Sequence, residues 1–394
     1  MIYLDNAGTT KVSENVKNAM MPYFDEIYGN ASSLHTVGQV AKEHLENARE
    51  QIANCLGAMP REIYFTSGGT ESDNWAITSV ANMGAKNGKK HIITSAFEHH
   101  AVLHTMKNLE KQGFLVTYLP VYENGIVKVE DVENAITEQT CLVSIMFANN
   151  EIGTIQPIEQ IASICKKHNV LFHTDAVQAV GHIDIDVKKL GVDLLSLSSH
   201  KFHGPKGVGA LYVRLGVRLE NFMQGGAQEN KKRPGTENVG AIVGMATALC
   251  DATKEMEQVN AKEKYLRDKL FANLSKIEHS KINGDKFCRL PNNFNMSFEG
   301  IEGESLLLLL DDEGICASSG SACTSGELDP SHVLLAIGLV HEIAHGSLRI
   351  SLSKYNTEEE IDKVIEVVPK IVQRLRDMSP LWDKLKKGEK KYVI

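Results

Sequence analysis

No run of apolar residues in this sequence is long enough to cross a bilayer. The longest, Leu306 to Leu310, sits between acidic residues and reads as the buried face of a helix. The opening, Met1-Ile2-Tyr3-Leu4-Asp5, lacks the basic and apolar regions of a secretory signal. Positive charge is in deficit: 42 Lys and Arg stand against 50 Asp and Glu. The resulting net charge of −8 argues against a dominant nucleic-acid surface. No CxxC pair occurs among the seven cysteines, at 55, 141, 165, 250, 288, 316 and 323. Their odd number and scatter argue against a disulfide framework and fit a reduced, cytoplasmic protein whose cysteines are mostly small core residues. Internal repeats and low-complexity tracts are absent.

What is present is the composition of a two-domain enzyme: 394 residues, 42% hydrophobic and 23% charged. From residue 63 onward short apolar runs alternate with helical patterns. Ile63–Thr66, 92–94, 116–119, 142–147, 171–174, 194–197 and Gly209–Val213 read as strands. Helices are expected near 13–24, 37–56, 157–168 and 237–274. This rhythm predicts an α/β fold with a mostly parallel sheet flanked by helices, ligands binding past the carboxyl ends of the strands. The expected division is a large α/β domain over 13–260. A smaller α+β domain, built from 1–12 and 261–394, carries a small-residue loop at about 317–330. The lysine-rich tail from Trp382 is expected to be loose or partner-facing.

The polar motifs fall at strand ends. Lys201 follows the strand Leu194–Leu197 in Ser198-Ser199-His200-Lys201, before a Gly-Pro turn. A lysine partly desolvated past a buried strand is a usable nucleophile or base. Taken alone, the stretch reads better as a solvated basic turn. Asp175, ending the preceding strand, changes the weighing. A buried carboxylate beside such a lysine is the pair that pyridoxal phosphate needs: one holds its aldehyde, the other keeps its pyridine nitrogen protonated. Ser67-Gly68-Gly69-Thr70-Glu71-Ser72 opens a helix with free amides suited to a phosphate; it lacks the Gly-Lys-Ser/Thr ending of a P-loop. His99, after Glu98, is placed to stack on a cofactor ring and move protons. Arg349, in an alternating strand, suits a carboxylate clamp, although a structural ion pair would use the same residue. Cys323 sits in the flexible stretch Ala317 to Gly326, where a thiol can be exposed. His341-Glu342-Ile343-Ala344-His345 matches the HExxH zinc pattern, but no third ligand follows clearly, and a zinc peptidase is the remote reading.

Together these motifs resemble the cysteine desulfurases of the NifS/IscS type, which are fold-type-I pyridoxal phosphate enzymes of the class-V aminotransferase-like group. The likeness spans nearly the whole chain. It includes the Tyr-Leu-Asp opening, Tyr28-Gly29-Asn30 with Ser32-Ser33-Leu34-His35, 66–74, Glu98-His99 and Asn149-Asn150-Glu151-Ile152-Gly153. It continues through Thr174-Asp175-Ala176-Val177-Gln178, 198–207, Pro234-Gly235-Thr236, 319–324 and Leu348-Arg349. The resemblance implies that Lys201 holds the cofactor covalently, that Asp175 pairs with the pyridine nitrogen, that Gln178 bonds the ring hydroxyl and that His99 stacks on the ring. Thr70, Ser198 and His200, with the Gly69 turn, would hold the phosphate. Thr236 would reach the phosphate of a neighbouring subunit, implying a homodimer. Asn150 and Arg349 would bind the carboxylate of L-cysteine. Cys323 would take the sulfur as a persulfide and pass it to an iron–sulfur scaffold or a tRNA-thiolation enzyme. Three departures stand out: Gly8 for the usual alanine, Ala227 for a third glycine, and Asn230-Lys231-Lys232 for a glycine-containing turn. A selenocysteine or cystine lyase, or a non-catalytic sulfur-transfer partner, would share most of these residues.

Overall fold

The computed structural model describes residues 1–319 and 330–394. In chain order the strands begin with β1 (Ile2–Tyr3), β2 (Ile63–Thr66), β3 (His91–Ser95) and β4 (Leu115–Leu119). Next come β5 (Thr140–Ser144), β6 (Leu171–Asp175), β7 (Leu194–Ser198) and β8 (Gly209–Val213). β9 (Ser280–Ile282), β10 (Asn293–Phe298), β11 (Ile315–Cys316) and β12 (Ser347–Ser351) follow.

Seven strands form the main sheet in the order β2-β8-β7-β6-β5-β3-β4. The pairs from β7 to β4 are parallel, whereas β8 runs antiparallel to both of its neighbours. Every residue of β3, β5, β7 and β8 is buried, as expected when helices cover both faces. The period of two sorts neighbouring side chains onto opposite sides: Leu142, Leu194 and Leu211 join one apolar cluster, Val143, Leu195 and Ala210 the other.

A second core gathers β10, β12, the helices Gly303–Asp312 and Glu358–Asp377, and Ile2 and Leu4 from the N-terminus. β1 pairs with β11, and Asn6 N–H donates to the Ser351 carbonyl, so the first residues belong structurally to this body. Thr357 and Glu360 form a reciprocal capping box that starts the Glu358–Asp377 helix. The helix Val239–Leu274 spans 36 residues and serves both cores: 239–249 supply buried side chains to the first, 266–274 to the second.

The predicted helix over 13–24 is two pieces. Glu14–Met20 is α-helical, with Ser13 as its cap, and Met21–Phe24 tightens to a 3₁₀ turn at Pro22, which has no N–H to continue the ladder. The tail is not loose. Pro380–Lys386 is a helix, Trp382 is buried, and Tyr392 stacks on His279 with ring centroids 3.8 Å apart. The amides of Val393 and Ile394 donate to the Glu299 carboxylate. Two aromatic rings and a buried acceptor outweigh the lysines, which point their charges to solvent.

Candidate active site

A cavity of about 320 Å³ opens past the carboxyl ends of β5, β6 and β7. Its walls bring together eleven of the residues singled out by sequence: Gly69, Thr70, His99, Asn150, Asp175, Gln178, Ser198, His200, Lys201, Arg349 and the departure Gly8. They come from seven separate stretches of chain. Strand ends supply Asp175 and Ser198, the 3₁₀ turn Ser199–Lys201 supplies the lysine, and a helix start supplies Gly69 and Thr70.

Lys201 Nζ donates to the carbonyl oxygens of Ala7 and Gly8, at 2.7 and 2.8 Å. Gln178 Nε2 donates to the same Ala7 carbonyl at 3.0 Å. The N-terminal strap thus closes one wall of the cavity. Asp175 Oδ1 accepts from Val177 N–H at 2.9 Å. Burial pushes the Asp175 carboxyl above the usual range, against the opposing pull of the Val177 amide and the Lys201 ammonium. Burial and the Lys201 charge drive the His99 ring down to about 4, so it is neutral at physiological pH. Its Nδ1 accepts from Ala101 N–H at 3.1 Å, which leaves the ring proton on Nε2. His200 is depressed to about 4 by burial and by Lys201 and Lys206; its Nδ1 lies 3.1 Å from Thr9 Oγ1. Arg349 Nη2 pairs with Asp5 Oδ1 at 2.8 Å and Nη1 donates to the Asn150 carbonyl at 3.3 Å. Its Nε is buried with no hydrogen-bond partner among the described residues.

The aminotransferase class-V family model matches residues 2–364. The chain belongs to that family. A cysteine desulfurase IscS of Methanosarcina thermophila is 57% identical over 383 residues, covering 97% of this chain and 95% of the relative. A solved NifS-like protein superposes with a TM-score of 0.90 at 45% identity, covering 95% of this chain and all of that one. A structure of SspA in complex with cysteine superposes with a TM-score of 0.80 at 37% identity, covering 91% and 100% of the two chains. Within the class-V family the chain is therefore a cysteine desulfurase of the NifS/IscS type, and its cofactor is pyridoxal 5'-phosphate.

The cavity of this desulfurase fits that group. Gly68, the N-cap of the Gly69–Lys86 helix, has no side chain with which to cap it, so the amides of the first turn remain open to an anion. A Cβ on Gly69 would lie 2.6 Å from Val177 Cγ2, so only glycine lets backbone and cavity wall approach this closely. A carboxylate for a ring nitrogen and an amine for an aldehyde face the same space.

One of the expected residues stands elsewhere. Thr236 lines a separate cavity of about 400 Å³ with Tyr23, Phe24 and Tyr28. Cys323 lies outside the described residues. HExxH occupies the five-residue helix His341–His345, where Glu342 pairs with Lys390.

Three residues escaped sequence reasoning. Asp73 lines the cavity one turn into the Gly69–Lys86 helix. Its Oδ1 is 3.6 Å from His173 Nε2 and has no hydrogen-bond partner among the described residues. Burial, reinforced by Asp175, raises its carboxyl well above the ordinary range. His173, which bonds Ser144 and Ser196, is held neutral by burial at about 3. Glu98 turns its carboxylate inward to Met146 N–H and Ser95, fixing the turn that carries His99. The only signal for their roles is position: Asp73 one helical turn from Thr70, His173 two residues from Asp175, and Glu98 beside His99.

Proposed function

We propose that this desulfurase removes sulfur from L-cysteine, releasing L-alanine and leaving a persulfide on Cys323. The observation that carries the reading is the meeting of Lys201, Asp175 and Arg349 in one cavity, three groups suited to an aldehyde, a ring nitrogen and a carboxylate. Lys201 would hold the cofactor, with Thr70, Ser198, His200 and the Gly69 turn around its phosphate, Gln178 at its hydroxyl and His99 over its ring. When bound, pyridoxal phosphate supplies an electron sink for charge developed at the substrate Cα. Asp175 keeps a proton at the pyridine nitrogen. Arg349 and Asn150 orient the substrate carboxylate. Lys201 Nζ removes the Cα proton and returns one at the alanine stage. The Cys323 thiolate attacks the substrate sulfur, the S–S bond forms and the Cβ–S bond breaks.

The same reading makes the enzyme a cytoplasmic homodimer that hands sulfur to iron–sulfur assembly or tRNA thiolation. Thr236 would cross to the partner's phosphate. Exposed Phe24 and Tyr28 beside Thr236 support an apolar contact there. The reading also divides the chain into two lobes, 13–260 and 1–12 with 261–394; much of the second lobe's buried apolar surface gathers in its own core, while residues 333–344 pack with the first.

The test is direct. Borohydride reduction followed by peptide mapping should label Lys201. Purified enzyme with a thiol present should form alanine and sulfide in equal amounts from cysteine. Cys323→Ser should keep the cofactor's colour and lose turnover; turnover at the parent rate would sink the persulfide assignment.

A further inference from the structure

Two thiols meet outside the desulfuration cavity. Cys55 is the last residue of the helix Thr36–Cys55, and Cys250 lies within Val239–Leu274. Their sulfurs are 3.7 Å apart although 195 residues separate them in sequence. Both side chains are half-buried, so small solutes can reach them. A disulfide needs sulfurs at about 2.0 Å, a closure of roughly 1.7 Å shared between two Cβ–S arms. The Cys55 side can yield, because its helix ends there and the chain turns away at Gly57 with φ of 68°.

The other described thiols differ. Burial pushes Cys141 up to about 11 and Cys165 to about 12, and it raises Cys288 and Cys316 as well. Cys55 goes the other way. The Cys250 thiol, opposed by burial and assisted by the Thr253 hydroxyl and the Lys254 ammonium, holds it at about 7. A thiolate with a second sulfur in van der Waals contact is the arrangement of a resolving pair.

We propose that Cys55 and Cys250 form a redox-active dithiol that hydroperoxides convert to a disulfide, a modification site separate from the sulfur-transfer centre. The Cys55 thiolate attacks one peroxide oxygen. The O–O bond breaks, the departing oxygen leaves as water, or as an alcohol from an organic hydroperoxide, after taking a proton, and Cys55 becomes a sulfenic acid. The sulfur of Cys250 then attacks that of Cys55. The S–O bond breaks, and the hydroxyl leaves with the Cys250 proton as water. The two thiols lose two electrons, the peroxide gains them, and a small thiol reverses the change.

The location gives the bond a structural effect. On the long helix, Ala248 and Ala252 face the segments around Lys201: a Cβ on Gly204 would lie 3.2 Å from Ala248 Cβ, and one on Gly181 3.6 Å from Ala252 Cβ. Cys250, midway between these alanines, projects about 200° away. The cross-link therefore fastens the back of the helix on which the lysine turn rests.

The experiment treats the holoenzyme with stepped hydrogen peroxide, blocks free thiols with iodoacetamide and maps peptides without reduction. A cross-linked pair containing residues 55 and 250, released by dithiothreitol, is expected at doses below those that oxidise the exposed Cys288. In Cys250→Ser, dimedone should trap a sulfenic acid on Cys55; in Cys55→Ser, residue 250 should take no dimedone. Recovery of both parent peptides alkylated once Cys288 has oxidised would overturn the proposal. Dimedone on Cys250 in place of Cys55 would do the same.

Discussion

Arg349 Nη2 pairs with Asp5 Oδ1 at 2.8 Å while the Nε of the same guanidinium is buried and has no hydrogen-bond partner among the described residues. Two nitrogens of the fork are thus held, by the N-terminal strap and by the Asn150 carbonyl, and an incoming carboxylate must draw on Nε or displace one of those contacts.

Substrate affinity should depend on that fork. Arg349→Lys keeps the charge and loses the planar pair of donors. KM for cysteine should rise about ten- to hundred-fold, with a smaller change in kcat. Steady-state kinetics decide it: an unchanged KM would place the substrate carboxylate elsewhere.

The ring-nitrogen partner should show itself in kcat. Asp175→Asn preserves shape and the contact with Val177 but removes the charge. Alanine formation should slow by about 100-fold while far-ultraviolet dichroism is unchanged. Retention of most of the rate would mean that Asp175 does not face the pyridine nitrogen.

A buried carboxyl on the long helix makes stability depend on pH. Glu263 is buried, its Oε2 has no hydrogen-bond partner among the described residues, and burial raises it from 4.5 to about 8. Between those values the native state binds a proton that the unfolded chain does not, so stability falls as pH rises. The contribution is complete below 4.5 and is lost through about 8. Glu263→Gln should therefore gain on the parent as pH rises, by about 1–3 kcal/mol near pH 9. Thermal midpoints of both proteins across that range test the sign; a constant difference would refute it.

The loop leading to Thr236 is anchored at its start by a buried carboxylate. Glu229 accepts two bonds from Arg49, at 2.7 and 2.8 Å, and one from Phe65 N–H at 2.9 Å. Glu229→Ala leaves the buried Arg49 charge only the exposed Glu46 as a carboxylate partner and should cost about 3–5 kcal/mol, measured by thermal unfolding. Glu229, Asn230 and Lys231 hold φ of 45°, 56° and 65°, the left-handed region. Glycine adopts that region without a steric penalty. Lys231→Gly should accordingly stabilise by about 1 kcal/mol.

The strand ends were legible because fully buried parallel strands leave continuous apolar runs, and polar residues stop them abruptly; Asp175 and Lys201 announce themselves in that way. Gly69 and Thr70 are legible as a helix start. Asp73 is not, because a lone aspartate inside a helix reads as a solvated position until the sheet is laid against it. The inward turn of Glu98 is hidden for the same reason. Nothing local to Ala7 says that its carbonyl will meet an amine 194 residues away. The tail misled because its lysines are prominent, whereas the stacking partner His279 is more than 100 residues distant.

The helix Val239–Leu274 has a mechanical consequence. Its two ends are rooted in different apolar bodies, and none of its residues from 250 to 262 is buried. A protease nick in that less buried middle would leave each half of the molecule without an anchoring segment that its own core needs. Neither fragment should persist as an independent folded piece, and thermal melting should register one event in place of two.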